Sequence, residues 1–259
     1  MAISGEGKVA IVTGASSGIG YATALALADA GFQLAVGARR QDKLEGLVQA
    51  IEQSTGARPF AAALDVTDVS SVESFIEGVL QHYQTVHVLV NNAGKALGID
   101  NIDENADETD WELMLDTNVL GLLRMTKRLV PHLVASGAGH IINIGSIAGH
   151  EAYAGGGVYC ASKFAVRAIT GALRQELLGK PIRITSIDPG MVETEFSVVR
   201  YHGDNDKAAQ VYEGVRPLTA EDVADCILFA ATRKAHVNID EMIVKTIDQA
   251  DAKRVARKS

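Results

Sequence analysis

Short apolar runs rich in Val, Ile and Ala recur at residues 9–13, 33–38, 60–64, 86–91, 140–144, 182–187 and 241–247. Helical patterns lie between them, at 21–30, 42–53, 69–83, 108–134, 159–178 and 220–232. Strand and helix in alternation leave few ways to build a core, and the favoured one is a parallel sheet with helices on its faces. The runs at 86–91 and 140–144 are continuously apolar rather than alternating, as expected of strands covered on both sides. The pattern predicts an α/β fold with a doubly wound, seven-stranded parallel sheet. Without a Pro/Gly/Ser-rich linker, internal repeat or low-complexity stretch, it also predicts one domain over residues 1–259. Residues 191–217 interrupt the alternation, and long excursions in compact domains are usually functional or mobile.

Hydrophobic residues make up 47% of the 259 and charged residues 22%, enough for a substantial core. The net charge of −8 argues against a nucleic-acid backbone as partner. Lys253, Arg254, Arg257 and Lys258 form a basic cluster that reads as a solvated terminus. Cys160 and Cys226 offer neither a disulfide framework nor metal-ligand spacing, and free thiols suit a reducing compartment. Residues 1–8 lack the apolar stretch of a signal peptide. No apolar run reaches the ~18 residues of a membrane span. These features lead us to expect a cytoplasmic protein with a small-molecule substrate and no metal, nucleic acid or membrane.

The first strand runs directly into Thr13-Gly14-Ala15-Ser16-Ser17-Gly18-Ile19-Gly20, which opens a helix. Glycines allow a tight turn and let backbone N–H groups approach a pyrophosphate at the helix N-terminus. The spacing differs from G-x-G-x-x-G, but its place between strand and helix supports dinucleotide binding on a Rossmann-type sheet. At the end of the second strand, Ala38 is followed by Arg39 and Arg40. An acid there would accept from the ribose hydroxyls of NAD; guanidinium groups instead match the 2′-phosphate of NADP. Arg39 is the stronger choice and Ser16 a helper; two solvated arginines at a turn is the competing reading. Asp65 and Val66 end the third strand, where a carboxylate can accept from the adenine amino group. Asn91-Asn92-Ala93-Gly94 ends the fourth, against the cofactor.

Tyr159 and Lys163 are four residues apart on a predicted helix and so share a face. An ammonium about 4 Å from a phenol, at an effective dielectric of ~20, lowers the phenol's pKa by ~3 units, toward the range useful for acid–base catalysis. That places Tyr159 as proton donor and acceptor. Ser146 ends the fifth strand, on the edge where ligands bind in open α/β sheets; it either donates to a substrate oxygen or caps a turn. Asn118 lies inside the predicted helix 108–134, as a satisfied buried amide or as part of the site.

Together, Thr13-Gly-x-x-x-Gly-Ile-Gly20, Asn91-Asn-Ala-Gly94, Asn118, Ser146, Tyr159-x-x-x-Lys163 and Pro189-Gly190 resemble the short-chain dehydrogenase/reductase family, in order and over nearly the whole chain. The resemblance implies a catalytic tetrad of Asn118, Ser146, Tyr159 and Lys163. Tyr159 would exchange the proton and Ser146 hold the substrate oxygen. Lys163 would tune Tyr159 and bind the nicotinamide ribose, while Asn118 would position a water linking Lys163 to solvent. The expected cofactor surface comprises Gly14, Ser16, Ser17, Gly18, Ile19, Gly20, Arg39, Arg40, Asp65, Val66, Asn92, Ala93, Gly94, Tyr159, Lys163, Pro189, Gly190, Val192 and Thr194.

A narrower likeness rests on Asn92-Ala-Gly-Lys-Ala-Leu-Gly98, Gly145-Ser-Ile-Ala-Gly149, residues 192–200 and residues 218–224. These are similar to the NADP-dependent 3-hydroxy acid dehydrogenases, which implies serine, allo-threonine or related substrates and a homotetramer. Arg200, in the excursion, is expected to pair with the substrate carboxylate or else to be a surface arginine. The stretch 150–157, with Gly155-Gly156-Gly157, departs from that pattern beside the site. Two alternatives stay open: a carbonyl reductase of bulkier ketones, and a non-catalytic NADP sensor.

Overall fold

A computed structural model describes residues 5–102 and 107–258. The first half of the polar segment 1–8 and the ends of the predicted 1–259 domain therefore lie outside the described residues. The Val- and Ile-rich runs become parallel strands because their side chains are buried on both faces of the sheet. β1 (Val9–Thr13), β4 (Val88–Asn91) and β5 (Gly139–Ile144) are buried at every position. With β2 (Gln33–Ala38), β3 (Phe60–Ala63), β6 (Ile182–Pro189) and β7 (Glu241–Val244) they form a seven-stranded sheet in the order β3-β2-β1-β4-β5-β6-β7. Every pairing is parallel. Chain direction across the sheet reverses between β1 and β4, so the loops leaving those strands diverge and open a crevice at their C-terminal ends.

Helices cover both faces. α1 (Gly18–Asp29), α2 (Gln41–Thr55) and α9 (Ala220–Ala231) pack through Leu27, Leu47 and Ile227 against Val12, Val36 and Ile142. On the other face, α3 (Val69–Tyr83), α5 (Leu122–Ala135) and α6 (Gly157–Glu176) bring Phe75, Met125, Leu129 and Leu173 against Ile11, Leu89 and Ile141. Local signals set several starts: the Asp68 carboxylate accepts from Ser70 N at 2.9 Å, and Thr219 with Asp222 closes a capping box on α9.

Three expectations need correction. The predicted helix 108–134 is α4 (Glu108–Leu115) and α5 joined by a π-helical turn, Asp116–Gly121, that contains Asn118. The seventh strand stops at Val244 rather than 247, with Ile247 almost fully exposed. α1 starts inside the glycine turn, at Gly18 rather than at 21. The excursion 191–217 contains two short helices, α7 (Glu195–Arg200) and α8 (Asn205–Gln210). A bridge between Val192 and Leu218 closes its neck, with Glu193 N donating to Leu218 O at 2.9 Å.

Candidate active site

Where β1 meets α1, the chain turns through Gly14 (φ +66°), and a Cβ there would lie 2.9 Å from Ala93 Cα. At Gly20 a Cβ would meet Asn92 Nδ2 at 2.4 Å and Gly14 O at 2.5 Å. The same Asn92 amide donates to Thr13 O at 2.9 Å, fastening the loop after β4 to the loop after β1. Thr13 Oγ1 helps by accepting from the Asn92 and Ala93 amides, each at 3.0 Å. Ser17, the N-cap of α1, makes no side-chain cap bond, so the first-turn amides of this helix keep their affinity for an external anion.

One cleft runs along the C-terminal edge of the strands. Its lining brings together Gly14, Ser16, Ser17, Gly18, Ile19, Arg39, Arg40, Asp65, Val66, Asn92, Ala93, Gly94, Ser146, Tyr159, Lys163, Pro189, Gly190, Val192 and Thr194, all singled out from the sequence. Gly20, Asn118 and Arg200 are not among its lining residues. Gly20 packs against Asn92 and Gly14, Asn118 is bonded to Lys95 and Ser162, and Arg200 to Tyr153.

The two arginines differ. Arg39 has no hydrogen-bond or ion-pair partner among the described residues, whereas Arg40 donates to Ser17 Oγ at 2.7 Å, Ser16 Oγ at 3.1 Å and Glu195 Oε2 at 2.8 Å. Asp65 commits one oxygen to the Thr67 amide and hydroxyl, at 2.9 and 2.7 Å. Burial raises its pKa, but these two bonds together with the Arg39 and Lys95 charges outweigh burial and hold the carboxyl below its usual range. Its second oxygen stays available to a donor in the cleft.

At the other end, the Ser146 hydroxyl sits beside Tyr159, and its Oγ accepts from Ala148 N at 3.1 Å. Lys163 Nζ donates to Ile144 O at 2.9 Å and lies 5.9 Å from the Tyr159 ring centroid. The expected lowering of the Tyr159 pKa is corrected. Burial raises the Tyr159 pKa above its usual value; the neighbouring Ser146 hydroxyl and the Arg200 charge offset this only in part. Burial also lowers Lys163 to about 8, partly countered by the Asp188 carboxylate. Estimating from charge and distance alone omitted desolvation, which is the larger effect here.

Asn118 is buried, and both ends of its amide are engaged. Its Oδ1 accepts from Lys95 N at 2.8 Å, and Nδ2 donates to Lys95 O at 2.8 Å and Ser162 Oγ at 3.0 Å. A Cβ on Gly94 would lie 3.2 Å from Asn118 Oδ1 and 3.8 Å from Lys163 Nζ, so the amide and the ammonium flank one glycine. Arg200 stands beside Tyr159, its guanidinium carbon 5.8 Å from the ring centroid. It donates to Tyr153 Oη at 3.0 Å and Gly98 O at 3.3 Å, and forms no ion pair with any described acid.

The profile of the short chain dehydrogenases matches residues 8–204. The chain belongs to that family. This short-chain dehydrogenase is 45% identical over 255 residues to the NADP-dependent 3-hydroxy acid dehydrogenase of Schizosaccharomyces pombe, covering 98% of each chain. It is 42% identical over 243 residues to sulfoacetaldehyde reductase 2 of Chromohalobacter salexigens, covering 93% of this chain and 95% of the relative. Among solved structures, the closed form of a serine dehydrogenase complexed with NADP⁺ superposes with a TM-score of 0.89 at 38% identity, covering 97% of this chain and 100% of that one.

Sequence reasoning passed over several residues of this dehydrogenase's cleft. Lys95, Thr117, Glu195, Phe196 and Val199 also line it. Tyr153 holds Arg200 from outside. Glu195 carried a usable signal, since an acid directly after Thr194 fits the first turn of a short helix near an arginine pair. Lys95 and Phe196 lie in segments that carry the narrower likeness but were not singled out as site residues.

Proposed function

We propose that this dehydrogenase is an NADP-dependent oxidoreductase of small 3-hydroxy acids such as serine or allo-threonine. The observation that carries this reading is Arg200. Its guanidinium, without an acidic partner among the described residues, stands beside the buried Ser146–Tyr159 pair, where a carboxylate two bonds from the reacting carbon would reach it. Guanidinium and carboxylate pair through two parallel hydrogen bonds. The first relative's name points to the same substrate class, and the sulfoacetaldehyde reductase acts on another small anion by name. Neutral, bulky ketones gain nothing from a cation at that position.

The glycine turn without an obstructing Cβ, the uncapped α1 amides and the unpaired Arg39 suit a dinucleotide carrying a 2′-phosphate. When bound, NADP supplies the hydride acceptor or donor. Tyr159 takes the proton from the substrate hydroxyl during oxidation and returns it during reduction. Ser146 donates to the same oxygen and fixes its distance from Tyr159. Lys163, held by Ile144 O, binds the nicotinamide ribose and steadies the phenolate. Asn118 is a positioning residue in this scheme, fixing Lys95 and Gly94 against the Lys163 ammonium. A water held nearby would connect that ammonium to solvent.

The same reading includes a homotetramer in the cytoplasm. Leu120, Leu123 and Phe164 expose apolar side chains, and Cys160 and Cys226 are free thiols. No helix among the described residues is long and apolar enough to cross a membrane.

Initial rates with NADP⁺ and NAD⁺ over 3-hydroxy acids, 2-hydroxy acids, hydroxysulfonates and neutral alcohols test the reading. NADP⁺ with a 3-hydroxy acid should give the highest kcat/KM. Arg200→Met should then raise KM for the acid by about ten- to a hundredfold, the value of a charge-assisted bond, with little effect on neutral alcohols. Equal losses on both would remove the carboxylate role.

A further inference from the structure

Glu195 stands in an unexpected place. It belongs to the first turn of α7, in the excursion, yet its carboxylate reaches the turn after β2. Oε2 accepts from Arg40 Nη1 at 2.8 Å, and Oε1 accepts from Lys43 Nζ. With Nε and Nη2 on Ser16 and Ser17, every nitrogen of the Arg40 guanidinium is engaged. A helix N-terminus explains an acid at this position. It does not explain two cationic partners on a different element.

Nor does stability explain it. The Arg40 and Glu195 side chains are 43% and 44% exposed, and ion pairs so open to water contribute little to a fold. The location is the informative part, because Glu195, Ser16, Arg39 and Arg40 line the same end of the cleft. A phosphate dianion placed on Ser16, Arg39 and Arg40 would arrive beside this carboxylate. The two anions need the same donors, and like charges at that range repel.

We propose that Glu195 is a cofactor-selectivity residue whose carboxylate competes with the 2′-phosphate of NADP for Arg40 and Lys43. Phosphate binding then displaces Glu195 and unfastens the start of α7, the helix that ends in Arg200. Preference for NADP is therefore set below what Arg39 and Arg40 alone would give. The hydrogen bonds from Lys43 and Arg40 hold the Glu195 carboxyl near 2, so it is an anion throughout the working pH range. This inference rests on the NADP reading above.

The test is fluorescence titration of NADPH and NADH against the wild type, Glu195→Gln and Glu195→Ala, at low and high salt. Two exposed pairs and one repulsion are of a size to shift binding about three- to tenfold. Both variants should bind NADPH tighter by that factor at low salt, with NADH affinity unchanged and the gain shrinking at high salt. Unchanged or weaker NADPH binding would overturn the competition, as would equal tightening of both cofactors. A wild type that binds NADPH no better than NADH would remove the NADP reading itself and the inference with it. NADPH preference in the wild type with unresponsive variants would remove only the role of Glu195. Gln keeps the shape of Glu, and thermal melting of both variants verifies folding.

Discussion

At residue 159, burial and charge act in opposite directions, and burial is stronger. Burial therefore keeps the hydroxyl protonated, the form that the proposed mechanism needs for donation to a carbonyl oxygen. Tyr159→Phe should lower kcat by about 10²–10⁴-fold, the usual value of a positioned acid–base group, while NADPH affinity changes less than about twofold. Stopped-flow turnover with parallel fluorescence titration checks both. A parallel loss of cofactor binding would assign Tyr159 a structural role. The sequence pointed to Ser146, Tyr159 and Lys163, which line one cleft, because strand ends and helical spacing place them. It could not reveal the 5.9 Å between Lys163 and the ring, because that depends on which carbonyl the ammonium reaches.

Among elements, the strands were the most legible and the turns between helices the least. β-branched runs buried on both faces announce themselves in any register of a parallel sheet. The π turn at Asp116–Gly121 does not, since one inserted residue hardly disturbs a helical hydrophobic pattern. Asn118 was therefore found by motif, and its pairing with Lys95 by structure. The β1–α1 turn is the element with least tolerance. Gly20→Ala would force a methyl to within 2.4 Å of Asn92 Nδ2 and 2.5 Å of Gly14 O. Overpacking of this kind typically costs about 1–3 kcal/mol. Thermal melting and NADPH titration should show both lower stability and weaker binding; unchanged binding would mean the turn does not shape the cofactor site.

At the scale of the whole molecule, one source of acid sensitivity lies at the end of the sheet opposite the cleft. His140 is fully buried near the start of β5, and burial first, then Arg183 and Lys8, holds its pKa well below the usual 6.5. Its Nε2 pairs with Thr185 Oγ1 at 2.8 Å. The unfolded chain takes up a proton below about 6.5 that the folded protein refuses, so stability is complete above that pH and falls on acidification. Each such group contributes up to about 1.4 kcal/mol per pH unit. The melting temperature should drop between about pH 7 and pH 5, and His140→Gln should flatten that slope. An unaltered slope would place the sensitivity elsewhere.

The reversal of chain direction between β1 and β4 also divides labour along the gene. Under the proposed function, the groups assigned to the phosphates and adenosine come from the first third of the chain, and the groups assigned to proton transfer come from the remainder. A mutational programme can thus retune cofactor choice and substrate choice largely in separate cassettes, with position 195 a place where they must be varied jointly.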